Sequence, residues 1–149
     1  MTPAPTIHAS AVLVGAKAVL IRGPAGSGKS RLVLELIQLA MRGAIPLARL
    51  VGDDRVHLAA ESGRLLVRPA AELAGLIEIR GFGIRRMPYE AVAVVGLVVD
   101  LATAAERLPG PTALKTSISG LSLPRLALPD GASALPPLLA ALGFPGSGI

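Results

Sequence analysis

The chain has 149 residues, enough for one domain and too few for a second of ordinary size. Hydrophobic residues make up 52% and aromatics only 2%, so the core must be built from Leu, Val, Ile and Ala, the mixture of buried strands and covering helices. The absence of cysteine excludes disulfides, zinc–cysteine sites and thiol catalysis, and the net charge of +5 comes from scattered Lys and Arg with no basic block.

Phe82, Tyr89 and Phe144 are the whole aromatic set, too sparse for a platform that stacks bases, so no nucleic-acid partner is expected. The first ten residues, MTPAPTIHAS, lack a positive region followed by an apolar stretch, unlike a signal peptide. The most apolar run, Ala91 to Leu101, is too short to span a bilayer. These features describe a single soluble, cytoplasmic domain over residues 1–149.

In chain order, Ile7 to Val14 reads as a strand, followed by a turn at Gly15-Ala16 and an apolar strand from Ala18 to Ile21. From Gly28 to about Arg42, Leu32, Leu36, Leu39 and Ala40 recur at helical spacing, and Gly43 is the expected stop. Arg49 to Gly52 is a short strand ending in Asp53-Asp54. Val56–Ala59 and Leu65–Val67 read as a hairpin around Glu61-Ser62-Gly63. Leu76–Ile79 is a further strand before the Gly81-Phe82-Gly83 turn, and Val92–Leu101 is a long buried strand. Pro109, Gly110 and Pro111 mark a mobile loop, Leu123–Leu128 a last strand and Leu135–Leu142 a short helix. The expected class is α/β, with more strand and fewer helices than a regular doubly wound fold.

The stretch Gly23, Pro24, Ala25, Gly26, Ser27, Gly28, Lys29, Ser30 matches G-x-x-x-x-G-K-[ST], between an apolar strand and a helix. Glycines let successive N–H groups turn toward phosphate oxygens, and the helix that follows points its N-terminus at the same anion. In such a loop Lys29 reaches the β- and γ-phosphates and Ser30 ligates Mg²⁺.

Phosphoryl transfer also needs a metal carboxylate and a group to accept the acceptor's proton. Asp53-Asp54, at a strand end downstream of the loop, suits both roles: one carboxylate holds the metal and the other exchanges the proton. Glu78 and Arg80 share one face of a strand whose other face carries Ile77 and Ile79. That charged face is either an active-site wall or plain solvent-facing surface. His8 and His57, each alone in an apolar strand, read as structural on this basis.

Taken together, IHASAVLV, AVLIRGPAGSGKSRLVLELI, RLVGDDRVHL, GLIEIRGFGI, LVVDL and LSLPRLALP resemble, in this order, the catalytic domain of HPr kinase/phosphorylase, from about Ile7 to Leu128. The resemblance implies the strand-rich phosphate-loop fold that this family shares with phosphoenolpyruvate carboxykinases, in the short form found in alphaproteobacteria. It implies a hexameric serine kinase that uses ATP with Mg²⁺ to phosphorylate the phosphocarrier HPr and reverses the transfer with phosphate, releasing pyrophosphate. By position, Asp53 matches the catalytic acid/base, Ser30 and Asp54 the Mg²⁺ environment, and Glu78 a further acidic group near the metal. His8 becomes an active-site residue, and Arg107 resembles the arginine of a mobile loop used in the reverse direction. A kinase of the same scaffold with another acceptor, and a nucleotide sensor without catalysis, are the alternatives.

Overall fold

The computed structural model describes residues 5–103, 109–129 and 134–144. Ten strands and two α-helices follow the chain in the order β1 (Ile7–Val14), β2 (Lys17–Arg22), α1 (Lys29–Met41), β3 (Ala48–Gly52), β4 (Arg55–Glu61), β5 (Arg64–Pro69), β6 (Leu76–Ile79), β7 (Gly83–Arg86), β8 (Ala93–Asp100), β9 (Lys115–Ile118), β10 (Leu121–Ala127) and α2 (Leu135–Ala141). This is the strand-rich α/β architecture that the sequence suggests.

Two strands serve two neighbourhoods each. β1 pairs with β2 along one edge, while its other edge is shared in succession by β3 and β4. β8 runs parallel to β2 on one side and meets β5 and then β10 on the other. With the β4–β5 hairpin, these pairings close a ring through β1, β2, β8, β5 and β4.

Alternation along the strands then fills two cores. Ala9 and Ala11 of β1, Ala18 and Leu20 of β2, Val56 of β4 and Val67 of β5 point inside the ring. Val12, Val14, Val19 and Ile21 point outward, where Leu32, Val33, Leu36 and Ile37 of α1 and Leu138 of α2 cover them. Each fully buried Leu, Ile or Val contributes roughly 1.5–3 kcal/mol. No described helix is long and apolar enough to cross a membrane.

α1 ends as expected: the Gly43 N–H bonds to the Ala40 carbonyl and the Ala44 N–H to that of Leu39. The loop expected at Pro109–Pro111 is corrected in part. Pro111–Leu114 forms a short 3₁₀ turn that leads directly into β9. Arg107 lies outside the described residues.

Candidate active site

The loop Gly23–Ser30 joins β2 to α1, and Gly28 adopts φ 101°, a backbone state that L side chains resist. Lys29 is buried and folds back on the loop, donating to the carbonyls of Gly23 at 2.8 Å and Pro24 at 3.2 Å. Burial pushes its ammonium below the ordinary lysine range, against the opposing pull of the Asp54 and Asp53 charges.

Asp53 and Asp54 lie at the fork where β1 exchanges β3 for β4. Ala11 pairs with Gly52 on one side of the fork and His8 with Arg55 on the other, so Ser10 comes to lie opposite Asp53. The fork needs a glycine before it: a Cβ on Gly52 would lie 2.7 Å from Val56 Cγ1 and 3.2 Å from Pro69 Cα. Asp54 takes the left-handed state, φ 71°, which turns the two carboxylates apart.

The two therefore have different partners. Asp53 is buried and accepts hydrogen bonds from Ser10 Oγ at 2.7 Å, from Ser30 Oγ at 2.7 and 2.9 Å, and from the Glu78 N–H at 3.2 Å. Asp54 is exposed and meets His8 Nε2 at 2.8 Å. The site thus unites His8, Ser30, Asp53 and Asp54. Asp53, rather than Asp54, is the carboxylate in contact with the loop serine.

Glu78 reaches the site through its backbone. Ile77, 1% exposed, anchors β6 in the core and so aims the Glu78 N–H at Asp53, while the Glu78 side chain is exposed. Among the described residues no cluster of three His, Asp or Glu side chains closes around a metal position. The donors present, a hydroxyl with neighbouring carboxylates beside a lysine and a helix N-terminus, nevertheless suit Mg²⁺ bound jointly with phosphate oxygens, since Mg²⁺ keeps few protein ligands.

Two features escaped the sequence reading. Ser10, fully buried, stands in a strand that is apolar at all its other positions from Ala9 onward. At the ends of the parallel strands β2, β8 and β10, Asp100 holds both Arg22 and Arg125. The only signal for this cluster was a carboxylate closing a buried strand, with an arginine just before the glycine-rich loop. His57 lies apart from these residues, with its Nδ1 3.2 Å from the Pro5 carbonyl oxygen.

Comparison with known proteins gives a family and a fold. The family described as HPr Serine kinase C-terminal domain matches residues 1–107. The HPr kinase/phosphorylase of Geobacillus thermodenitrificans is 37% identical over 142 residues, covering 87% of this chain and 43% of that protein. That of Streptococcus pneumoniae is 37% identical over 137 residues, covering 83% and 42%. The chain thus spans less than half the length of these curated relatives. The solved Hpr(Ser) kinase/phosphatase from Coxiella burnetii aligns with a TM-score of 0.71 at 30% identity, over 93% of each chain.

Proposed function

The chain belongs to the HPr serine kinase C-terminal domain family, and from this premise we propose that it is an ATP-dependent protein serine kinase and phosphorylase acting on the phosphocarrier HPr. The observation that carries the proposal is Asp53, a buried carboxylate hydrogen-bonded to the serine of the glycine-rich loop at 2.7 Å. A loop that grips phosphate and a carboxylate beside it are the two parts phosphoryl transfer requires.

In the forward direction Asp53 accepts the proton of the acceptor serine. The serine oxygen forms its bond to the γ-phosphorus, the bond to the β-phosphate oxygen breaks, and ADP leaves. In reverse, an oxygen of inorganic phosphate attacks the phosphoserine phosphorus, Asp53 returns the proton to the serine oxygen, and pyrophosphate leaves. Lys29 swings from the Gly23 and Pro24 carbonyls to the phosphates, exchanging neutral acceptors for charged ones. Mg²⁺, when bound, neutralises phosphate charge; Ser30 and Asp54 are the residues to hold it, with Glu78 beyond them. We further propose that residues 1–149 form one catalytic domain and that copies assemble as hexamers.

One observation favours a second assignment within the same function. Asp54, exposed and paired with His8, lies closer to solvent than Asp53 and is the easier carboxylate for an incoming protein to reach. In that case Asp53 serves the metal and Asp54 the proton.

The test is incubation of the chain with Mg-ATP and HPr from its own organism, with phosphoserine detected by mass, followed by phosphate and an assay for pyrophosphate. Transfer to HPr that disappears in Asp53→Asn while Mg²⁺ binding persists supports the first assignment. Loss of Mg²⁺ binding in Asp53→Asn together with loss of transfer in Asp54→Asn supports the second. No transfer to HPr overturns the acceptor, and no transfer to any serine protein overturns the kinase.

A further inference from the structure

We propose that Ser10 is a positioning residue that fixes the orientation of Asp53; this rests on the reading that Asp53 belongs to the phosphoryl-transfer machinery. β1 places Ser10 on the face that its neighbours Val12 and Val14 use to pack against the helix side of the sheet. The packing pattern calls for another branched apolar residue there. Ser10 is 0% exposed, and a buried hydroxyl is unfavourable unless it is hydrogen-bonded. Its presence is therefore explained by its bonds and not by its packing.

Those bonds use the hydroxyl in both senses. The proton goes to Asp53 Oδ1 at 2.7 Å, and the oxygen accepts the Asp54 N–H at 3.3 Å. One side chain thus orients the Asp53 carboxylate and braces the left-handed backbone of Asp54. Among the described residues, Ser10 is the one side-chain donor to Asp53 that the proposed reaction leaves in place. Ser30 has a single proton, shared between the two Asp53 oxygens, and in the proposed function its hydroxyl turns to the metal. Ser10 on Oδ1 and the Glu78 N–H on Oδ2 then remain to define the carboxylate plane.

Ser10→Thr and Ser10→Val separate this role from packing. The two replacements have nearly the same shape and both suit a strand, but only threonine keeps a hydroxyl. For Ser10→Val we expect kcat for transfer to HPr to fall roughly 10- to 100-fold, as expected for a displaced catalytic group. Nucleotide affinity by calorimetry should be kept, while Tm should fall further in Ser10→Val than in Ser10→Thr, because the valine leaves Asp53 and the Asp54 N–H without a buried partner. Ser10→Thr should stay near wild type in every measurement. Wild-type kcat in Ser10→Val, or equal impairment of both variants, overturns the inference.

The underlying reading fails separately. If Asp53→Asn transfers phosphate at the wild-type rate, the role of Asp53 falls. If Asp53→Asn is inactive and Ser10→Val is not, only Ser10 falls. A crystal structure of Ser10→Val with Mg-nucleotide bound gives a readout independent of any acceptor: we expect the Asp53 carboxylate turned away from its wild-type plane, and an unmoved carboxylate overturns the inference.

Discussion

Arg22 and Asp100 meet side-on at the ends of two parallel strands, with Arg22 Nε 2.7 Å from Asp100 Oδ1 and Nη2 2.8 Å from Oδ2. Arg125 adds a second guanidinium to the same carboxylate, so the ends of β2, β8 and β10 are held by one side chain. Arg22 is the last residue before the glycine-rich loop. Asp100→Ala leaves two part-buried guanidiniums facing each other, and we expect a loss of about 3 kcal/mol in urea unfolding.

The same carboxylate sets a pH dependence. Burial alone would raise the Asp100 carboxyl, but the hydrogen bonds and charges of Arg22 and Arg125 outweigh it and hold the group below its ordinary range. A folded-state value below the unfolded one, about 3.9, means the stabilisation is present above that value and is lost as pH falls through the folded one. The stability gap between wild type and Asp100→Ala should therefore be level near neutrality and close in strong acid. A gap that widens in acid contradicts the pairing.

Lys29→Ala separates nucleotide binding from folding. The ammonium is buried and desolvated, and among the described residues its hydrogen-bond partners are two neutral carbonyls. Calorimetry should show ATP affinity reduced at least tenfold, a factor worth about 1.4 kcal/mol. Thermal unfolding without nucleotide should change little.

Gly52→Ala tests the fork. The added methyl meets Val56 Cγ1 and the Pro69 backbone, and backbone cannot yield as a flexible side chain does. The expected cost is about 1–3 kcal/mol in urea unfolding. Transfer should fall further than stability alone predicts, because Asp53 is the next residue.

Ile77 and Phe82 should behave oppositely although both lie in the β6–β7 hairpin segment. Ile77 is 1% exposed and Phe82 69%. Ile77→Ala should cost about 2–5 kcal/mol and loosen the Glu78 N–H from Asp53. Phe82→Ser should stay within about 0.5 kcal/mol of wild type. Both are read by thermal or urea unfolding.

The parts of this molecule legible in its sequence were those written in local pattern. β1, β2 and α1 follow from apolar periodicity and the glycine-rich loop from its spacing, within a residue or two of their observed ends. β7 and β9 were missed because GIRR is exposed throughout and KTSI has no buried residue; each is a strand only because it pairs with its neighbour. The two aspartates were recognised as a pair, but their divergence depends on the backbone of Asp54, which no side-chain pattern encodes. Ser10 and Asp100 meet partners far off in the chain, Asp53 at a separation of 43 and Arg22 at 78.

The closed ring also dictates when the glycine-rich loop can become rigid. β2, which carries the loop, pairs with β8, and β8 begins at Ala93, about seventy residues after β2 ends. A chain emerging from the ribosome therefore presents its glycine-rich loop early, on a strand that lacks one neighbour until most of the domain has been made. A fragment ending before Ala93 leaves the edges of β2 and β5 open to pairing with other chains. The strand that carries the loop gains its second neighbour late, with the insertion of β8.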